Sequence, residues 1–84
     1  MADGSGSSSG ELLEYLVRQL VDEPHAVRVD TSEREGAIVL ELHVAPADVG
    51  KVIGRQGRIA RALRTVVRAG AARERQRVLL EIVE

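Results

Sequence analysis

Leu12, Leu13, Leu16, Val17, Leu20 and Val21 recur at every third or fourth place, the spacing of one apolar stripe, and they predict a first helix over residues 11–22. Ser8 stands three residues before Glu11 as in a capping box, and Pro24 marks a stop just beyond the last turn. The apolar period then shortens to that of a strand. Val27 and Val29 alternate with Arg28 and Asp30, and after a polar turn from Thr31 to Gly36, Ile38, Leu40, Leu42 and Val44 alternate with Glu41 and His43. This pattern predicts an antiparallel hairpin with one apolar face. Ala45-Pro46-Ala47-Asp48 opens a short helix in which Val49, Val52 and Ile53 share a face, and Gly54-Arg55-Gln56-Gly57 breaks it. Beyond the break, Ile59, Ala62, Leu63, Val66, Val67 and Gly70 keep the helical period while Arg58, Arg61, Arg64 and Arg68 occupy other faces. Val78, Leu80 and Ile82 alternate within a last strand over residues 77–83.

The predicted order is α-β-β-α-α-β. Two helices between the second and third strands make a crossover, so those strands are expected to be parallel. The fold class is therefore α+β, a three-stranded mixed sheet with helices packed on one face. Met1 to Gly10 is Gly/Ser-rich and reads as a flexible tail, leaving residues 11–84 as one domain.

Composition narrows the classes without naming one. The 84 residues include no Cys, so a disulfide framework and a thiolate zinc site are both excluded. No apolar run approaches the roughly 18 residues of a membrane span, and the first residues lack the pattern of a secretory signal, so the expectation is a cytoplasmic protein with no membrane contact. The net charge of -1 argues at first against a polyanionic partner. Segment by segment the picture changes: residues 1–48 carry -7 and residues 49–77 carry +8. A dipolar chain of this kind can attract polyanions to one face while remaining near neutral overall.

The basic segment surrounds the sequence Asp48-Val-Gly-Lys-Val-Ile-Gly-Arg-Gln-Gly-Arg-Ile-Ala-Arg-Ala-Leu-Arg-Thr65. Gly54 and Gly57 permit backbone conformations closed to other residues and let a sugar-phosphate chain come close. N–H groups at the start of the following helix offer an anion site, reinforced by the helix dipole. Lys51 and Arg55 add positive charge and Gln56 adds a neutral hydrogen-bonding group. The V-I-G-R-Q-G run between two helices resembles the core of a KH RNA-binding domain of the bacterial type II arrangement, and over residues 11–84 the chain is similar to the small stand-alone KhpA family.

That resemblance implies a single KH domain in which Gly54, Arg55, Gln56 and Gly57 clamp about four nucleotides of single-stranded RNA by their backbone. It further implies a groove for bases lined by Val49, Val52 and Ile53 and by Leu42 or Val44 of the second strand, with Arg58 and Arg61 extending the phosphate path. Arg64, Arg68, Arg73, Arg75 and Arg77 lie farther from the loop and read as solvated surface or partner contacts. Many family members carry Thr at the position of Ile59 and a basic residue at that of Gln56, so this chain lacks one hydroxyl and one charge at the clamp. The family implies no cofactor. Its implied partners are a second copy and a larger KH protein of the KhpB (Jag/EloR) type, and its implied roles are RNA chaperoning, cell-envelope homeostasis and cell-length control. Tyr15 is the sole aromatic residue and lies on the first helix, so stacking on aromatics is not expected to contribute its usual ~1–3 kcal/mol per base.

Two rival classes have less support. An enzyme requires a constellation, but His25 and His43 are isolated, Gly50 to Gly54 lacks the ending of a phosphate-binding P-loop, and the acids of the first helix lack a metal-binding spacing. A KH fold used mainly for protein association, or one that binds single-stranded DNA, fits the same residues.

Overall fold

Alternation in the strands and the apolar stripes of the helices turn the same residues inward, which places every helix against one side of a sheet. The computed structural model describes residues 7–73 and 75–84. The elements are α1 (Ser7–Arg18), β1 (Arg28–Arg34), β2 (Ala37–His43), α2 (Val49–Ile53), α3 (Arg58–Ala72) and β3 (Arg77–Ile82), with short 3₁₀ turns at Pro24–Ala26, Pro46–Asp48 and Arg55–Gly57. The sheet order is β1-β2-β3, with β1 antiparallel and β3 parallel to β2. This is the mixed sheet and α-β-β-α-α-β order expected from the sequence.

The core forms where Leu40 and Leu42 of β2 and Val78 and Leu80 of β3 meet Leu13 and Val17 of α1, Val52 of α2, and Leu63, Val67 and Ala71 of α3. Burying each Val or Leu stabilises the fold by about 1.5–3 kcal/mol relative to leaving it exposed. Ala37 and Val39 belong to the opposite face by alternation, yet both are buried. On that face the start of the central strand is therefore buried, while Glu41 and His43 farther along it are half-buried.

Three boundaries differ from those read in the sequence. The first helix runs over Ser7–Arg18 in place of 11–22, so Ser8 lies within it. Of the expected tail, Ser7 to Gly10 are helical, while residues 1–6 and the side chains of Ser7 and Ser8 lie outside the described residues. A Cβ at Gly10 would touch Thr31, Val29 and Leu40 at 3.5–3.7 Å, so this turn of helix lies directly on the sheet. At the other end, Gln19 and Leu20 donate to the carbonyls of Leu16 and Val17, the tighter bonding that closes a helix. Leu20 and Val21 therefore fall beyond α1.

The hairpin is also longer than predicted, because β1 continues through Arg34, which pairs with Ala37. Its turn is Glu35-Gly36, with φ of 53° and 80°. Positive φ at both positions is the signature of a type I′ turn, whose twist matches that of the flanking strands.

Asp48 fixes the entry to α2. Its carboxylate is 1% exposed and accepts from the Asp22 N–H at 3.2 Å and the Glu23 N–H at 3.1 Å, joining the chain after α1 to the start of α2. Lys51 Nζ lies 3.3 Å from Asp22 and 3.6 Å from Asp48. The hydrogen bond and charge of Asp22, aided by Asp48, raise the Lys51 pKa above its ordinary 10.5.

Replacing Asp48 with Ala leaves two N–H groups and one ammonium without their acceptor, and is expected to destabilise the protein by about 3 kcal/mol in chemical denaturation. Lys51 has a raised folded pKa, so its contribution is complete below the ordinary lysine value and disappears as pH rises through the raised one. An NMR titration of Lys51 should show that elevation, and Asp22→Asn should reduce it.

Candidate nucleic-acid interface

The loop between α2 and α3 is shaped by one close approach. Gly54 adopts φ 77° and ψ 173°, a region open essentially to glycine alone. A Cβ there would lie 2.7 Å from Ile59 Cγ1 and 2.9 Å from the Ile59 backbone nitrogen. Gly57 is different: it is left-handed at φ 74° and ψ 15°, and the nearest atom to a Cβ would be an Arg61 nitrogen at 3.9 Å. Between them Gln56 is left-handed as well, at φ 56° and ψ 27°.

These dihedrals turn the loop carbonyls inward. The Gly57 N–H donates to the Gly54 carbonyl at 3.1 Å, the Arg58 N–H to that of Arg55, and Arg61 Nη2 to that of Gln56 at 3.1 Å. The carbonyls of Gly54, Arg55 and Gln56 thereby have internal donors. The 15-residue α3 begins immediately after, with no side-chain cap on its first N–H groups. With carbonyl dipoles withdrawn and a helix N-terminus beneath, the rim of the loop favours an anion.

The predicted site residues divide into three groups. Gly54, Arg55, Gln56, Gly57, Arg58 and Arg61 form the loop and the first turn of α3, with the side chains of Arg55, Gln56, Arg58 and Arg61 exposed. Arg61 spends one donor on the loop itself and keeps its others. Lys51 is exposed but engaged by Asp22 and Asp48, so it contributes less free charge than its sequence position suggested.

The expected apolar groove is corrected in part. Val52 and Leu42 are both 0% exposed and belong to the core, where alternation and helical period send them, so neither can touch a ligand. Val49 and Val44 are half-buried and line an open surface cavity of about 330 Å³ with Pro46 and Val83. Ile53 is half-buried.

Sequence reading missed two arrangements. Arg64, expected to be solvated or at a partner contact, is half-buried and donates through Nε to the Leu80 carbonyl of β3 at 3.4 Å. Asp30, Glu41 and His43 converge on the open sheet face, each offering a ligand atom within 4.8 Å of the others. Only strand register could have revealed that cluster, since Asp30 and Glu41 are direct partners across β1 and β2. Arg28 binds both Asp30 oxygens at 3.2 Å, so this carboxylate already has a cation.

Comparison with known proteins agrees with this geometry. The family model described as "KhpA/KhpB, KH domain" matches residues 10–82. A protein of Caldanaerobacter subterraneus subsp. tengcongensis named RNA-binding protein KhpA is 51% identical over 74 residues, covering 88% of this chain and 99% of the relative. Proteins of the same name from Clostridium acetobutylicum and Treponema pallidum are each 53% identical, covering 87% and 88% of this chain and 97% and 92% of the relatives. With the α-β-β-α-α-β order, the two-glycine loop and this identity along nearly the whole chain, the protein belongs to the KhpA/KhpB family of KH domains.

Proposed function

We propose that this protein binds single-stranded RNA by seating the phosphate backbone on the rim of the Gly54–Gly57 loop. The observation that carries the reading is the internal hydrogen bonding of the Gly54, Arg55 and Gln56 carbonyls, which leaves a rim suited to an anion beside the exposed Arg55 and Arg58. The names of the relatives support RNA as the source of that anion. Contacts of this kind position a backbone without reading sequence, so binding is sequence-tolerant and salt-dependent. Val44 and Val49 offer apolar contact to a base.

A single domain without aromatic stacking binds modestly. Pairing with a second copy or with a KhpB-type protein would raise affinity through avidity. Chaperoning of RNA in the cytoplasm and a link to the cell envelope and cell length fit the family resemblance. No helix among the described residues is long and apolar enough to cross a membrane.

Replacing Arg55 and Gln56 together with Asp should lower affinity for single-stranded RNA by about tenfold or more and flatten its dependence on salt, with circular dichroism unchanged. Unaltered affinity and salt slope would refute the loop assignment. Parallel measurement with single-stranded DNA of the same sequence tests whether RNA is preferred.

The two glycines should separate by their surroundings. Gly54→Ala meets the Ile59 side chain and backbone as well as a forbidden φ, and is expected to cost about 3 kcal/mol with loss of binding. Gly57→Ala meets only an ordinary contact with Arg61 at 3.9 Å and bears the left-handed penalty of about 1 kcal/mol. Denaturation midpoints of the two variants check the order.

A further inference from the structure

The arginines of α3 are not scattered. Arg58, Arg61, Arg64 and Arg68 follow one another at intervals of three, three and four residues, which keeps them on one side of the helix. Arg64 identifies what that side adjoins, because its Nε reaches the Leu80 carbonyl of β3. Arg68 then lines a cavity of about 290 Å³ with Gln76, Arg77, Val78 and Leu79. Among the described residues no carboxylate lines this cavity, and none of these five arginines lies within ion-pair distance of an acid.

The β3 edge contributes a second feature. Among the described residues β3 pairs only with β2, and its other edge has no strand partner. Val83, the residue just past β3, donates to Leu42 of β2, whereas the Leu80 carbonyl points away to Arg64. By the two-residue alternation of a parallel ladder, Val78 turns its N–H to the same free side as Leu80. The cavity thus combines arginine charge with the free-edge side of β3 over an apolar wall, a combination suited to a phosphodiester.

Its distance from the loop fits a continuous strand. Ten residues of helix separate Arg58 from Arg68, a rise of about 15 Å, which corresponds to roughly four stacked nucleotides at 3.4 Å each. We infer that the α3–β3 cavity at Arg68 is a second anion seat, taking a phosphate of the same single strand that the loop clamps, about four nucleotides farther along. This inference rests on the proposed RNA binding at the loop. It converts a short clamp into a two-point track, with the exposed Arg61 in the interval.

The test compares wild type, Arg68→Ala, Arg68→Glu and the loop variant carrying Asp at 55 and 56, each titrated with a tetranucleotide and a dodecanucleotide of single-stranded RNA. The Arg68 variants should bind the tetranucleotide like wild type but the dodecanucleotide more weakly. Loss of one phosphate contact should also reduce the effect of raising salt from about 50 to 200 mM by about 2–3-fold. The loop variant should lose both ligands. If the Arg68 variants bind the dodecanucleotide as wild type does while the loop variant fails, the second seat is wrong and the loop reading stands. Equal weakening on both lengths overturns it as well, since the residue then acts through the fold or the general field. A change in self-association with RNA binding intact overturns it in favour of a protein contact. Full binding by the loop variant removes the loop reading, and with it the downstream seat.

Discussion

Where the chain leaves α2, its backbone passes so close to Ile59 that no side chain can stand at position 54. Gly54 ends α2 after five residues, its N–H still bonded to Gly50, and redirects the chain so that α3 begins four residues later. A helix of five residues has no stability of its own. It persists because Val52 is buried in the core and Asp48 secures its first turn to the chain after α1. The loop is therefore held from both sides, by a buried carboxylate before α2 and by Ile59 and Arg61 after it. The inward carbonyls follow from that constraint, since left-handed Gln56 and Gly57 are the way back from Gly54 into α3.

The same framework decides which charges are available. The basic segment carries +8 by count, but Lys51 sits between Asp22 and Asp48, and Arg64 has an acceptor on β3. Arg61 divides its donors between the loop and solvent. Charge usable by a ligand is concentrated at Arg55 and Arg58, and again where Arg68 meets the start of β3. Lys51 pairs most closely with Asp22 and also faces the Asp48 carboxylate, which limits the cost of burying it.

The order of elements, the mixed sheet and the two-glycine loop were legible in the sequence because each has a local sign: a period of two, a period near 3.6, or a glycine pair between helices. What escaped depends on partners distant in sequence. Thr31 to Arg34 look like a turn because an edge strand with both faces exposed needs no alternation, and its strand character comes from pairing with β2. Ser7 to Gly10 look like a linker, although the absence of a side chain at Gly10 is what lets α1 lie on Thr31, Val29 and Leu40. Val52 lies three residues after Val49 on the same side of α2, and only the packing of that helix assigns it to the core. Asp48 read only as the opening of a helix, because its donors at Asp22 and Glu23 lie some 25 residues away.

Near-neutral total charge does not oppose the proposed binding, for a reason of distance. The molecule extends 33 × 27 × 20 Å, while exposed charges are screened beyond about 8 Å at physiological salt. A phosphate at the loop responds to the arginines around it, and acids on the far part of the hairpin are largely hidden from it. Tyr15 is 62% exposed on α1, a different element from the loop, so base stacking cannot substitute for backbone contacts there. Affinity must then grow with the number of phosphates engaged. A protein built this way gains strength by lengthening its track or by assembling with another domain, and its specificity must come from its partners or from the shape of the strand.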